Sequence, residues 1–389
     1  MAADRLSVIV AGGMASMPYG GIAWQVLGHL EGLKRLGHRV FYLEDTGRWP
    51  YDPERDTVSA DPAGATDYLA ALVDRVGLGG DWAYRDAATG TIHGSTRSQL
   101  RVRLDEADAL LNISGMTVLG EDHLRVPVRI FLDTDPGFTQ IEVAKGRRDT
   151  IDWLAAHTHH FSWGENLGTP ACDLPTGPFH YRPTRQPVVL DWWHPAPRDL
   201  ETRPVFTTVA SWKQTEKEIE WRGELWTWSK DVRFLRYIDL PQRIDRPLEL
   251  ALVIHDAEML VRLERAGWSI VPALPMTKDP DTYRRYIQSS AGEFSVAKAQ
   301  YVQPQTGWFS DRTAAYLAAG RPAVVEDTGF PLPRGEGLFG FSSLDDALAA
   351  FEAIAADYAR HSRAALEIAA GYLRAETVIA RLLSDAGLA

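Results

Sequence analysis

Two kinds of hydrophobic run alternate along this chain. Short apolar stretches bounded by Gly, Asp or Ser read as buried strands: Leu6–Ala11, Arg39–Leu43, Ala107–Ile113, Val126–Leu132 and Thr158–Trp163. Between them lie segments with helical spacing. The clearest is Ile22, Trp24, Val26, Leu27, Leu30, Leu33 and Leu36, which Gly37 closes as a C-cap. Tyr68–Leu78 and Ile151–His157 read the same way. A strand–helix–strand rhythm predicts a parallel sheet with right-handed crossovers.

The rhythm breaks at 169–203, where Pro170, Pro175, Pro178, Pro183, Pro187, Pro195 and Pro197 cluster. This reads as an irregular connection between domains. A second alternation follows. Strands are expected at Pro204–Val209, Leu248–Ile254, Ile270–Ala273 and Pro322–Val325. Helices are expected at Ser229–Ile238, Glu258–Ala266, Asp281–Ser289 and Ser310–Ala319. Further helices from Leu344 end on a stripe of Leu366, Leu373, Ile379, Leu382 and Leu383. The expected division is 1–200 for a first Rossmann-like domain with the Pro-rich connection, 201–365 for a second, and 366–389 for terminal helices packing back on the first. A length of 389 residues suits two such cores.

Composition narrows the class. The formal net charge is −11 with no long Lys/Arg run, which argues against a nucleic-acid partner. A single cysteine, Cys172, excludes an intramolecular disulfide and fits a reducing compartment. Met1–Leu6 is too short and polar for a signal peptide, and no stretch approaches a membrane span. A cytoplasmic protein without a membrane segment is expected. Serine-hydrolase, zinc and iron–sulfur spacings are missing from the sequence.

Open parallel sheets bind ligands beyond the C-terminal ends of their strands. Four loops there carry candidate chemistry. Gly12-Gly13 through Gly20-Gly21 lets backbone N–H groups approach a ligand, with Gly13, Gly20 and Gly21 as contacts; it matches neither GxGxxG nor a P-loop, and a packing turn is the alternative. Ser310-Asp311-Arg312-Thr313 opens a small, apolar helix whose free N–H groups and dipole suit a diphosphate, with Glu326 and Asp327 beyond the next strand to grip sugar hydroxyls. Ser211-Trp212-Lys213 ends the first strand of the second half, and His255 follows a later one. Asp133 and Asp135 end a strand of the first half. They are candidates for a general base, with a metal-holding Asp-x-Asp pair as the rival reading.

Residues 307–330, a Gly loop, a small helix, Ala319-Gly320-Arg321-Pro322 and a strand, resemble the donor-binding helix of GT-B glycosyltransferases. The opening, 6–44 with "GLKRLGHRVFYLE", resembles the first βαβ unit of the same enzymes. The resemblance implies two Rossmann-like domains facing each other across a cleft, with C-terminal helices crossing back. It implies acceptor binding by the first domain and nucleotide-sugar binding by the second. The function it implies is transfer of a sugar from a nucleotide-diphosphate sugar to a small-molecule or glycan acceptor, without metal or other cofactor. Many retaining members carry two glutamates around this helix, but Gly307 and Ala315 fall at those places, which leans the reading towards inversion. Glu293 could take over one of those roles, with a solvated helix acid as the preferred reading. The alternatives are a nucleotide-sugar epimerase of the same fold and a non-catalytic sugar-binding protein.

Overall fold

The computed structural model describes residues 5–214 and 217–388. Residues 1–4, part of the polar stretch Met1–Leu6, lie outside the described residues. The first half forms one eight-stranded sheet. Its spatial order is Tyr181–Pro183, His159–Ser162, Val128–Asp133, Ala109–Ile113, Ser7–Ala11, Arg39–Glu44, Trp82–Arg85 and Ile92–His93. All neighbours run parallel except the last pair. The strand Tyr181–Pro183 lies inside the stretch expected to be irregular, and pairing with His160–Ser162 draws it onto the sheet.

The second half forms a six-stranded parallel sheet in the order Ser269–Pro272, Leu248–Val253, Phe206–Ser211, Gly292–Ser295, Ala323–Glu326 and Leu338–Phe341. Numbered along this half, that is 3-2-1-4-5-6, the doubly wound order that places ligands where the strand order reverses. Here the reversal lies between Phe206–Ser211 and Gly292–Ser295. Glu293 therefore sits on a fully buried strand, not on a solvated helix. The long helix expected at 229–238 shrinks to Asp231–Leu235, and a hairpin of Ile219–Trp221 and Glu224–Trp226 precedes it. Ile219 and Trp226 of that hairpin bury themselves against Phe131, Ile141 and Tyr181 of the first half.

The halves meet tightly. Helix Gly20–Arg35 carries small residues where other chain segments touch it. A Cβ on Gly20 would lie 2.6 Å from Tyr283 Cβ, and one on Gly28 would lie 2.3 Å from the Pro187 carbonyl oxygen. Two stretches cross between the halves side by side, joined by Val188 N–H to Leu373 O (2.7 Å) and Ala375 N–H to Val188 O (2.9 Å). Helix Tyr358–Tyr372 packs on Asp311–Ala318 of the second half, and Ala375–Asp385 packs on Gly20–Arg35 of the first. Among the described residues no helix is long and apolar enough to cross a membrane.

Gly28→Ala forces a backbone oxygen to move. It is expected to destabilise the fold by about 1–3 kcal/mol, the usual cost of overpacking. Gly64→Ala, in an exposed helix with open space around it, is expected to be neutral or to stabilise by up to about 1 kcal/mol. Guanidinium unfolding midpoints of the two variants compare them directly.

Candidate functional site

The start of helix Asp311–Ala318 faces the first half of the chain. Ser310 caps it, its Oγ accepting from Arg312 N–H at 3.2 Å. The preceding loop is held from across the interface. Asn166 Nδ2 donates to Gln305 O (2.9 Å) and Gly329 O (3.1 Å), and Trp308 Nε1 donates to Thr134 O (2.9 Å). Gly307 takes φ +75°, and a Cβ there would strike Asn166. That glycine is required both by its left-handed conformation and by the close approach.

Arg312 turns under the helix. Its Nε donates to Glu293 Oε1 (2.6 Å), Nη1 to Val209 O (2.8 Å) and Nη2 to Ser295 Oγ (2.7 Å). Val209 and Glu293 belong to the two strands that flank the reversal point. One planar guanidinium therefore fixes the helix start over the sheet crevice. Thr313 is buried beside it.

Three further groups converge here. Lys298, just beyond strand Gly292–Ser295, places its Nζ 3.1 and 3.2 Å from the two carboxylate oxygens of Asp135 in the first half. The same ammonium lies 3.3 Å from the centre of the Trp228 ring. Burial pushes Lys298 down to about 8 against the pull of Asp135. Lys230 is held well below the ordinary lysine range, by burial first and then by the nearby cations Arg312 and Lys298. Among the described residues no carboxylate pairs with it within 4.0 Å. Burial pushes Asp135 and Asp311 up, with Lys298 opposing at Asp135 and Arg312 opposing at Asp311.

The two candidate bases differ. Asp133 is buried and fully engaged: Oδ1 accepts from Asp135 N–H (3.1 Å), and Oδ2 from Gln140 Nε2 (2.8 Å) and Ser162 Oγ (3.2 Å). Burial pushes it up to about 6. It organises the loop, while Asp135 faces the cleft. The Gly-rich loop is organised similarly. Glu44, wholly buried at a strand end, accepts from Ala15 N–H (2.9 Å), Ser16 N–H (2.5 Å), Ser16 Oγ (2.6 Å) and Tyr42 OH (2.8 Å). Those backbone donors are thereby satisfied inside the protein. A Cβ on Gly13 would strike Met116, whereas Gly21 lies in ordinary contact range of the Tyr283 hydroxyl.

Other candidates stand apart or are already engaged. Trp212 is a core residue stacked on Phe234, and Lys213 beside it is exposed. Ser211 is half-buried at the end of its strand. His255 is exposed. Glu326 pairs with Arg233 and accepts from Ala297 N–H (3.0 Å). Asp327 pairs with Arg334 (2.6 Å) and accepts from Gly329 N–H (2.8 Å). Among the described residues no three His, Cys, Asp or Glu side chains gather as metal ligands.

Solved structures share the overall architecture. AviGT4, a glycosyltransferase involved in avilamycin A biosynthesis, superposes with a TM-score of 0.52 at 14% identity, covering 98% of this chain and 97% of its own. The chain has the GT-B fold. An alpha-glucosyltransferase in complex with UDP and a 13-mer DNA matches with a TM-score of 0.56 at 10% identity, covering 98% of this chain and 100% of its own. A glycosyltransferase from Rickettsia africae matches with a TM-score of 0.51 at 8% identity, covering 98% of each chain. No protein-family model and no curated protein matches the chain.

Lys298, Lys230 and Trp228 were not among the sequence candidates. The strand Gly292–Ser295 carries no strand pattern in its sequence, so the loop after it offered no signal.

Arg312→Met leaves Glu293 as an unpaired buried carboxylate. It is expected to cost about 3–5 kcal/mol, whereas Arg312→Met with Glu293→Gln should cost clearly less than the two single changes summed. A double-mutant cycle of denaturant unfolding reads the coupling.

Proposed function

We propose that this chain is a glycosyltransferase that moves a sugar from a nucleotide-diphosphate sugar to a small-molecule or glycan acceptor. The observation that carries the reading is the gathering of Lys298 and Lys230 at the start of helix Asp311–Ala318, over the reversal point of the second sheet. Like charges enclosed together favour an anion between them, and a helix start adds N–H donors and a positive dipole end. A diphosphate fits both demands.

In this reading an acceptor hydroxyl attacks the anomeric carbon. The new C–O bond forms as the bond to the diphosphate breaks, and the bonding electrons leave with the diphosphate. The lysines and the helix start stabilise that charge electrostatically, with no metal required by the scheme. Asp135 takes the hydroxyl proton. Its pairing with Lys298 links the two halves of the reaction, because a diphosphate that claims Lys298 frees the Asp135 carboxylate to act as a base. Enclosure raises its proton affinity, which suits that role. Ser310, Asp311 and Thr313 belong to the donor side. Gly20 and Gly21 bring the first domain against it.

Thermal denaturation against UDP, GDP, ADP, CMP and dTDP, with and without magnesium, tests the donor site. One diphosphate at about 100 times its Kd should stabilise the protein by about 2.7 kcal/mol. Lys298→Met should weaken that ligand roughly 10- to 100-fold, as expected for losing a charge-assisted hydrogen bond. Lys298 is cationic below its pKa, so wild-type affinity should fall as pH rises through about 8, and the variant should lack that step. No stabilisation by any of the five would sink the reading. A changed sugar formed without consumption of acceptor would mark an epimerase instead.

A further inference from the structure

The stretch 217–230 folds as the hairpin of Ile219–Trp221 and Glu224–Trp226 and brings Lys217, Trp228 and Lys230 to the cationic cluster. Gln300 clamps both ends of that hairpin, its Nε2 donating to Lys217 O (2.9 Å) and Trp226 O (3.4 Å). Gln300 follows Lys298 by two positions, so the hairpin ends and the loop that carries Lys298 are tied together.

One indole serves two ammoniums. Lys298 Nζ lies 3.3 Å from the centre of the buried Trp228 ring, and Lys217 Nζ lies 4.3 Å from it. Both fall inside the distance of about 6 Å at which the quadrupole of an aromatic ring attracts a cation. Packing alone would lay lysine methylenes on the indole and send the ammonium to water. Lys217 is an exposed residue with water within reach, yet its ammonium lies over the ring. The indole belongs to a row: Tyr301 lies 6.4 Å away and stacks on Trp308 at 4.2 Å, and Trp308 Nε1 donates to Thr134 O, next to Asp135. The other groups facing Lys298 are Asp135 from the first half, Asp311 at its helix start, Lys230 and the Tyr301 ring. The two carboxylates favour the charged lysine, whereas burial and the neighbouring lysines oppose it.

We propose that Trp228 is a positioning residue, whose indole holds the Lys298 and Lys217 ammoniums near each other as cations before any anion arrives. A carboxylate does this only until the ligand comes, because Asp135 gives up Lys298 when a diphosphate claims it. An indole face attracts the cation without being displaced, so it supports the charged lysine in both the empty and the occupied site. A buried lysine without that support would shed its proton more readily and offer the diphosphate a neutral amine. The identity of the anion rests on the transferase reading; the hold on Lys298 is a property of the empty protein.

Proton–carbon NMR of the lysine Cε–H groups tests this on the empty protein, with the Lys298 signal assigned by its loss in Lys298→Met. In the wild type that signal should be displaced upfield by the indole ring current and show a nuclear Overhauser effect to the Trp228 ring. Its titration midpoint should lie near 8. Trp228→Leu should lower the midpoint by roughly 0.5 to 1.5 pH units, and Trp228→Phe, with a weaker ring face, should fall between. Melting curves confirm that each variant folds. A merely structural role would lower the melting temperature and leave the midpoint in place. The proposal is overturned if the wild type shows neither ring-current displacement nor contact with the ring, or if a folded variant leaves the midpoint unmoved or raises it. UDP titrations across pH give the second reading: the pH at which affinity falls should shift down with the Lys298 midpoint, and a step that folded variants leave in place also overturns the proposal. UDP that fails to bind the wild type at any pH, with the midpoint shift intact, would fell the transferase reading and leave the role of Trp228 standing.

Discussion

The second half of this molecule depends on one buried guanidinium. Two adjacent parallel strands diverge at the reversal point of the sheet, and nothing in a strand ladder closes the crevice between them. Arg312 closes it by donating to Val209 O on one strand and to Glu293 and Ser295 on the other. The helix that carries Arg312 is thereby held with its N-terminus over the crevice. Glu293 is completely buried, so this ion pair exists only because both partners are present and well oriented. The cost of burying two charges goes into orientation, and orientation is what a helix start needs to present N–H groups to an anion.

The second constraint is contact between halves. Loops at the ends of two facing sheets can share a ligand only if they approach closely, and the approach is made by residues without side-chain bulk. Gly20 admits Tyr283 and Gly307 admits Asn166, while Gly28 admits the Pro187 carbonyl of the connecting stretch. Lys298 and Asp135 then meet at hydrogen-bond distance although 163 positions separate them in sequence. Each belongs to the loop after a strand of its own sheet, so the pairing follows from topology, and the topology follows from the two alternating patterns.

That explains what was legible beforehand. Alternating apolar runs and their Gly caps disclosed two doubly wound halves, and Gly307, Gly320 and Ser310 disclosed the helix Asp311–Ala318. Strand Gly292–Ser295 escaped notice because Gly-Glu-Phe-Ser has neither a continuous apolar run nor a clean alternation. Its burial comes wholly from neighbours on both sides, and its one charge is neutralised by a residue nineteen positions on. With that strand missed, Lys298 had no reason to be singled out. The hairpin 219–226 was hidden for a related reason: its Trp and Ile side chains serve a core in the other half of the chain. Carboxylates were the least readable. Glu326 and Asp327 end a strand, yet Arg233 and Arg334 engage them, and no spacing rule reveals that the partner of Glu326 lies 93 positions away.

Sorting the carboxylates by what they already hold leaves a short list. Glu44, Asp133, Glu293 and Glu326 each accept from protein donors at fixed places, and burial makes those bonds hard to exchange. Asp135 and Asp311 differ. Asp135 is held by a single lysine ammonium, and Asp311 stands at the helix start where the two halves meet. The first set fixes the helix start and the two loops. The second set lies where the loops of the two halves meet.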